Sequence, residues 1–197
     1  MIPTTEYALF PLSTVIFPGG VLPMRIFEPR YLEMVSHCMQ SGDGFVICAA
    51  QPAATDGGFA HPRSVGTYTR ITDFDRLDDG QLGITASGIE RVTIDNVRQT
   101  ANGQWWGRLD AIAEDADGPC PIEFAPLKQI AEALIKEMGL SNQGLAVDYD
   151  SANWLSGRLT ELLPFDAAVK HELLAMNDPQ ERLRRIRPMI EIDTGGT

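Results

Sequence analysis

The sequence lacks any apolar run long enough to cross a membrane. No stretch reaches the ~18 uninterrupted apolar residues that a transmembrane helix needs. Met1 to Glu6 contains no lysine or arginine and no long apolar core, so this end does not resemble a signal peptide. We therefore expect a soluble protein of the cytoplasm that has no membrane partner.

Cysteine is also scarce. Cys38, Cys48 and Cys120 are odd in number and widely spaced, and no CxxC pair occurs. This pattern argues against a zinc ribbon and against a thioredoxin-like redox site. We predict three reduced thiols, most of them buried, as in a cytosolic protein.

Positive charge is in short supply. The 16 lysines and arginines are outnumbered by 27 acidic residues, which gives a formal net charge of −11. Such a chain repels the phosphate backbone, so nucleic acid is not an expected partner. The one basic cluster comprises Arg182, Arg184, Arg185 and Arg187. Because these arginines flank the apolar positions of a predicted helix, a solvated helix face is favoured over a docking patch.

The common catalytic motifs are missing. The sequence has no GxxxxGK[ST] loop, no strand-linked GxGxxG and no GxSxG elbow. His171-Glu172 begins like the zinc-protease motif HExxH, but Ala175 stands where the second histidine is needed. We expect no catalytic residue, no bound metal and no cofactor.

Up to about residue 117, turn signals and β-branched residues dominate the sequence. Predicted strands cover residues 7–12, 21–26, 45–50, 65–71, 81–86, 89–97 and 105–113. One helix is predicted after Pro29, with an apolar stripe at Tyr31, Met34, Val35 and Cys38. Short antiparallel strands around one helix favour a closed or half-closed barrel, which hides strand edges.

From residue 118 onward, apolar residues recur at steps of three and four. Four helices joined by short links predict a small bundle. Gly139 and Pro164 indicate where the first two end, and Asp166 indicates the start of the third. Asp178-Pro179 marks the start of the fourth. The sequence thus predicts an α+β protein with a β-rich lobe over 1–117 and a helical lobe over 118–197.

The opening of the chain carries a specific motif. Leu9 to Leu12 reads LFPL, and residues 15–31 read VIFPGGVLPMRIFEPRY. This pattern closely resembles the opening of the amino-terminal domain of Lon proteases. Weaker matches are VGT at 65–67, Gly88-x-x-Arg91, RLxxLLP at 158–164 and ERL at 181–183. The resemblance covers nearly the whole chain.

The resemblance implies a PUA-like antiparallel β pseudo-barrel followed by a helical lobe, and a role in substrate recognition. Full-length Lon continues into an ATPase module and a Ser–Lys protease module, and this sequence contains neither. We therefore expect a free-standing, non-catalytic module. Its expected partners are unfolded protein or peptide segments, or a protein partner, in an adaptor or regulatory role in protein quality control. The sequence does not indicate the oligomeric state.

The charged and aromatic part of the motif is a candidate for either binding or structure. Its members are Arg25, Phe27, Glu28, Arg30 and Tyr31. We favour fold maintenance over direct ligand contact. Glu28 precedes Pro29 and so takes the N-cap position of the predicted helix, where its carboxylate meets either a backbone N–H or one of the two arginines.

The sequence leaves three kinds of function open. Peptide binding predicts an apolar groove on the β lobe or between the lobes. RNA binding, by analogy with PUA domains, would be favoured by a positive stripe on the barrel. An enzyme with an unrecognised site between the lobes would be favoured by a strongly perturbed histidine or carboxylate there.

Overall fold

The computed structural model describes residues 6–52, 60–113 and 118–194, excluding the side chains of residues 142, 143 and 191–194. Its strands are β1 (Tyr7–Leu12), β2 (Val21–Ile26), β3 (Phe45–Gln51), β4 (His61–Arg76), β5 (Leu82–Gln99) and β6 (Trp105–Ala111). Its α-helices are α1 (Pro29–Ser41), α2 (Ala125–Glu137), α3 (Ala152–Leu162), α4 (Ala167–Ala175) and α5 (Pro179–Thr194). Short 3₁₀ helices cover Ile122–Phe124 and Leu140–Gln143. None of these helices is long and apolar enough to span a bilayer.

The strands form one sheet that closes on itself, which confirms the α+β class with a pseudo-barrel. The strand order is β2-β5-β4-β3-β1-β6, and β6 also pairs with β5. One pair departs from the expected antiparallel arrangement, because β1 runs parallel to β3 with Leu9 opposite Val46. The intervening β2 and α1 form the crossover that lets β3 return beside β1 in the same direction.

β5 is one long strand, so the predicted break at Ser87-Gly88 is wrong. Gly88 is buried, and a Cβ there would lie 2.2 Å from the carbonyl oxygen of Phe17. The glycine therefore permits a close backbone approach and does not end the strand. The first half of β5 pairs with β2 and the second half pairs with β6. As a result, β2 lies outside the closed barrel as an additional edge strand.

Helix α1 covers one face of the sheet, as its sequence period predicts. Its buried residues are Tyr31, Met34, Val35 and Cys38, the four that form the predicted stripe. They pack in one cluster with residues such as Phe10 and Phe45. Each such fully buried side chain stabilises the fold by about 1.5–3 kcal/mol.

The helical lobe has its own apolar core. Its largest cluster includes Phe124, Leu127, Leu155, Leu159, Leu173, Leu183 and Ile186. The predicted start of the last helix is confirmed, since Asp178 Oδ1 accepts hydrogen bonds from the backbone N–H groups of Gln180 at 2.9 Å and Glu181 at 3.1 Å. Residues 114–117, where the sequence changes from a strand-like to a helical pattern, lie outside the described residues. We propose the boundary between the lobes there.

One arginine of the basic cluster is buried at the junction of the lobes. Arg182 is 0% exposed, and its guanidinium lies 4.7 Å from the ring centre of Phe17. It donates to the carbonyl of Leu173 and to the Ser156 hydroxyl, both at 2.9 Å. The interpretation of the whole cluster as a solvated face is therefore wrong for Arg182. Arg184, Arg185 and Arg187 are exposed, as expected of a solvated face.

Candidate functional site

The edge strand β2 leaves backbone groups open for another chain. β2 pairs with β5 on one side, and no other described strand pairs with its opposite edge. Gly88 N donates to Gly20 O at 3.0 Å just before β2 begins. The alternation of an antiparallel ladder then directs the backbone of Val21, Pro23 and Arg25 away from β5. Pro23 has no N–H to offer, which is typical of an edge strand.

Two depressions flank this strand. The first, of about 230 Å³, lies between the lobes and is called the interlobe cleft. It is lined by Thr14, Val15, Ile16, Val21, Leu22, Pro23, Met138, Leu140, Glu161 and Leu162. The second, of about 320 Å³, is called the outer pocket. It is lined by Pro23, Met24, Arg25, Asp73, Phe74, Asp75, Leu77, Gly83, Ile84 and Thr85. Pro23 lines both depressions, and together they are called the β2 groove.

The interlobe cleft is mainly apolar. Val21 packs against a cluster that includes Leu140 of the helical lobe. Met138, which also lines the cleft, is 51% exposed. A cleft of this kind suits the burial of apolar side chains away from water.

Glu161 is the charged residue of the interlobe cleft. Its Oε1 accepts hydrogen bonds from the backbone N–H of Phe17 at 2.5 Å and from Arg158 Nη2 at 2.6 Å. Burial raises the pKa of Glu161, while the Arg158 guanidinium opposes that shift. The contact with Arg158 lies within α3, whereas the contact with Phe17 connects the helical lobe with the β lobe.

The outer pocket has a different character from the cleft. Asp73 and Asp75 lie on one face of β4, and neither forms a salt bridge with a described cation. Arg25 pairs with Asp79, with 2.7 Å between Nη1 and Oδ2. Phe74 is 63% exposed. The two depressions of the β2 groove thus differ in character, since one is mainly apolar and the other carries unpaired carboxylates.

Three residues of the sequence motif tie α1 to the barrel. Arg30 Nη2 lies 2.8 Å from Glu28 Oε2, and Arg30 Nη1 donates to the carbonyl of Gly103 at 3.1 Å. The Arg30 guanidinium lies 4.5 Å from the ring centre of Tyr31, which in turn packs on Phe10 with 4.0 Å between ring centres. Burial raises the pKa of Tyr31 to about 12. Glu28 occupies the N-cap position without capping a backbone N–H, and its carboxylate meets Arg30 instead.

The structure does not gather the whole motif into one site. Arg25 lines the outer pocket and Phe27 is exposed after the end of β2. The assignment of the motif to binding or to structure remains a proposal. Sequence reasoning missed the cleft residues of the helical lobe, Met138, Leu140, Glu161 and Leu162. The RLxxLLP resemblance contains two of these four positions, but nothing local in the sequence places them against β2.

The chain is similar to known proteins over nearly its whole length. A family model described as the ATP-dependent protease La (LON) substrate-binding domain matches residues 6–191. The solved Lon N-terminal domain protein from Xanthomonas campestris is 32% identical with a TM-score of 0.72, and the match covers 93% of this chain and 98% of that one. The N-terminal domain of the Mycobacterium avium complex Lon protease shares the fold, with a TM-score of 0.60 and 18% identity over 98% of this chain and 100% of that one.

Longer relatives match through one part of their sequence. Lon protease 2 of Herpetosiphon aurantiacus is 27% identical over 205 residues, which covers 96% of this chain but 24% of that protein. The chain therefore spans about a quarter of the length of that protease. Since the family model covers residues 6–191 of 197, the chain belongs to the family of ATP-dependent protease La (LON) substrate-binding domains.

Proposed function

We propose that this chain is a non-catalytic module that binds extended segments of unfolded or peptide-like protein in the β2 groove. The observation that carries the proposal is the open edge of β2 beside an apolar cleft. An extended segment that pairs with such an edge gains main-chain hydrogen bonds, while its alternate side chains enter the neighbouring depressions. Membership of a substrate-binding family supports this use of the groove.

The size of the groove suits a short extended segment. β2 has six residues, and a strand of that length spans ~20 Å at about 3.3 Å per residue. A bound segment of about six residues would therefore lie along it. Main-chain pairing depends little on sequence, so one groove would accept many unfolded chains. We extend the proposal to an adaptor or regulatory role in protein quality control, in the cytoplasm.

Peptide binding to the groove can be tested at the rim of the cleft. The probe is a fluorescein-labelled eight-residue peptide of alternating leucine and serine, followed by fluorescence anisotropy. Met138→Glu places a charge at the apolar rim, and we expect affinity to fall at least about fivefold, because a charge near an apolar contact must be desolvated. The matched control is Met39→Glu on α1, since Met39 is 53% exposed against 51% for Met138.

The outcomes of this test are distinct. Weaker binding by Met138→Glu alone, at unchanged melting temperature, supports the groove. An absence of binding to the unaltered protein, or equal losses in both variants, contradicts it.

A specific observation bears on the enzyme alternative. Glu161 is a buried carboxylate with a raised pKa in the interlobe cleft, and such groups occur in active sites. Its Oε1 is engaged with Phe17 and Arg158, so proton transfer at that oxygen would disrupt the connection between the lobes. We expect the purified protein neither to hydrolyse ATP nor to degrade casein. Activity that follows the protein through successive purification steps would favour the enzyme.

A further inference from the structure

We infer that the interlobe cleft selects a side chain that is apolar along its length and ends in one uncharged hydrogen-bond donor, as tryptophan does. This inference rests on the proposed function, because it assigns the side chain that a bound segment places in the cleft. It goes further by naming Glu161 as the residue that determines specificity there. The feature that Glu161 recognises is the donor, and not apolar area alone.

Glu161 has one carboxylate oxygen that the fold leaves open. Its Oε1 accepts hydrogen bonds from the backbone N–H of Phe17 and from Arg158 Nη2. Its Oε2 has no hydrogen-bond partner among the described residues, and they do not enclose it. The side chain is 11% exposed, and Glu161 lines the interlobe cleft. A group inside the cleft can therefore donate a hydrogen bond to Oε2.

Thr14 is the other polar residue that lines the cleft, and its hydroxyl is already engaged. Its Oγ1 accepts a hydrogen bond from Lys170 Nζ at 3.1 Å and donates to the carbonyl of Val15 at 3.4 Å. The remaining lining residues have apolar side chains. A donor that enters such surroundings loses water, so it binds well only where an acceptor replaces that water. Glu161 Oε2 supplies this acceptor.

The cleft lies beside the open edge of β2. Its lining combines Val21, Leu22 and Pro23 with residues of the helical lobe, and none of the described lining belongs to β5 or β4. The strand that pairs with β2 is β5, so the cleft is on the other side of β2. A segment paired with the open edge can therefore direct a side chain toward Glu161 without crossing another strand.

The charges around Glu161 favour an uncharged donor over a lysine or arginine. Arg158 Nη2 lies 2.6 Å from Glu161 Oε1, and Lys170 Nζ donates to the backbone carbonyl of Glu161 at 2.8 Å. Both cations are buried, so two positive charges already surround one carboxylate. Arg158 Nε and Nη1 also have no hydrogen-bond partner among the described residues. A third cation would meet this excess of positive charge and lose its hydration, whereas a neutral N–H would not.

Tryptophan combines the properties that the cleft requires. Its indole ring buries a large apolar area, and its N–H needs an acceptor when it is buried. The cleft has a volume of about 230 Å³, and Met138 and Leu140 form part of its apolar wall. A methionine sulfur packs favourably against an aromatic ring. The ring would thus contact this wall while its N–H donates to Glu161.

The probe is a fluorescein-labelled eight-residue peptide of alternating serine and leucine, in which one central leucine is replaced by tryptophan, benzothienylalanine or lysine. Benzothienylalanine has nearly the shape of tryptophan but carries sulfur in place of the indole N–H. Fluorescence anisotropy measures the affinity of each peptide for the unaltered protein. We expect the tryptophan peptide to bind at least about fivefold more tightly than the benzothienylalanine peptide, because a hydrogen bond to a charged acceptor is lost. The lysine peptide should bind most weakly.

Glu161→Gln tests whether Oε2 is the source of this preference. The amide oxygen of glutamine must accept from Phe17 and Arg158, so the amide nitrogen takes the place of Oε2 and cannot accept an N–H. The ratio of the tryptophan and benzothienylalanine affinities should then fall below about twofold. The matched control is Glu181→Gln, because Glu181 also pairs with an arginine three positions away, Arg184 at 3.1 Å, but is 56% exposed on α5. This control should keep the full ratio.

The peptide series on the unaltered protein is decisive even if Glu161→Gln lowers stability. Equal affinity for the tryptophan and benzothienylalanine peptides would overturn this inference and leave the proposed function standing. Tightest binding of the lysine peptide would also overturn it, since Glu161 would then attract a charge. A ratio that persists in Glu161→Gln, or that disappears in Glu181→Gln as well, would overturn the role of Oε2. No binding of any peptide would remove the proposed function itself.

Discussion

The carboxylate of Glu161 accepts a hydrogen bond from the backbone N–H of Phe17 at 2.5 Å, although the two residues lie 144 positions apart. The same oxygen accepts a hydrogen bond from Arg158. The turn that follows Phe17 is therefore held against α3 by a buried ion pair. Two stretches that carry the family resemblance, FPGG near the amino terminus and RLxxLLP in the helical lobe, meet at this point.

Gly20 packs closely against this junction, and we expect Gly20→Ala to destabilise the protein. A Cβ at Gly20 would lie 2.6 Å from Glu161 Oε1 and 2.8 Å from Arg158 Nη2. The ion pair would have to shift, so the free energy of unfolding should fall by about 1–3 kcal/mol in urea denaturation. Gly118→Ala is the control, because no atom of the described residues lies within 4 Å of a Cβ there. Equal stability of the two variants would show that the junction is not tightly packed.

Local sequence predicted the parts of the fold that local contacts determine. The stripe from Tyr31 to Cys38 specifies α1 through its helical period, and the end of α2 just before Gly139 follows from a residue that accepts a positive φ. The charged motif comes from the family resemblance, and the contact of Glu28 with Arg30 is one of the alternatives that the sequence leaves open.

Other features depend on residues far apart in the chain. The parallel pairing of β1 with β3 and the continuity of β5 through Gly88 depend on where remote strands and Phe17 lie. The sequence places Arg182 on a solvated face of α5, but it is buried by partners from α3 and the end of α4. The β2 groove was missed in detail for the same reason, since no sequence period reports a cleft between two lobes.

Burial of Arg182 leads to a prediction about stability. Arg182→Met should lower the free energy of unfolding by about 2–4 kcal/mol, because the carbonyl of Leu173 and the hydroxyl of Ser156 would lose a donor in a buried position. The control is Arg185→Met, which alters an exposed arginine of the same helix and should change stability by less than about 0.5 kcal/mol. Guanidinium denaturation of both variants measures the difference. Similar stabilities would contradict the role of Arg182 at the lobe junction.

Tyr31 predicts a loss of stability at alkaline pH. Burial raises its pKa to about 12 in the folded protein, against about 10 in an unfolded chain. Between these values the unfolded state releases the proton and the folded state keeps it, so stability that is fully present below pH ~10 is lost as pH rises toward 12. The difference in free energy of unfolding between the unaltered protein and Tyr31→Phe should shrink by about 1.4 kcal/mol for each pH unit in this window. A difference in free energy of unfolding that stays constant from pH 9 to pH 11 would contradict the raised pKa of Tyr31.

Variants of the pair formed by Glu28 and Arg30 test whether the motif serves structure or binding. Arg30 is 12% exposed in its side chain and Glu28 is 39% exposed, so the pair lies between an exposed and a buried salt bridge. We expect a coupling free energy of about 1–2 kcal/mol from the two single alanine variants and the double variant in urea denaturation. Arg30→Ala should be the more destabilising single change, because it also removes the contacts with Gly103 and Tyr31.

The same variants should leave peptide binding nearly intact. Neither Glu28 nor Arg30 lines the interlobe cleft or the outer pocket, so Glu28→Ala and Arg30→Ala should change peptide affinity by less than about twofold while both lower stability. Met138→Glu provides the opposite pattern, with weaker binding at unchanged stability. If instead Glu28→Ala kept full stability and lost peptide binding, the motif would belong to the binding surface. The β2 groove would then no longer account for recognition on its own.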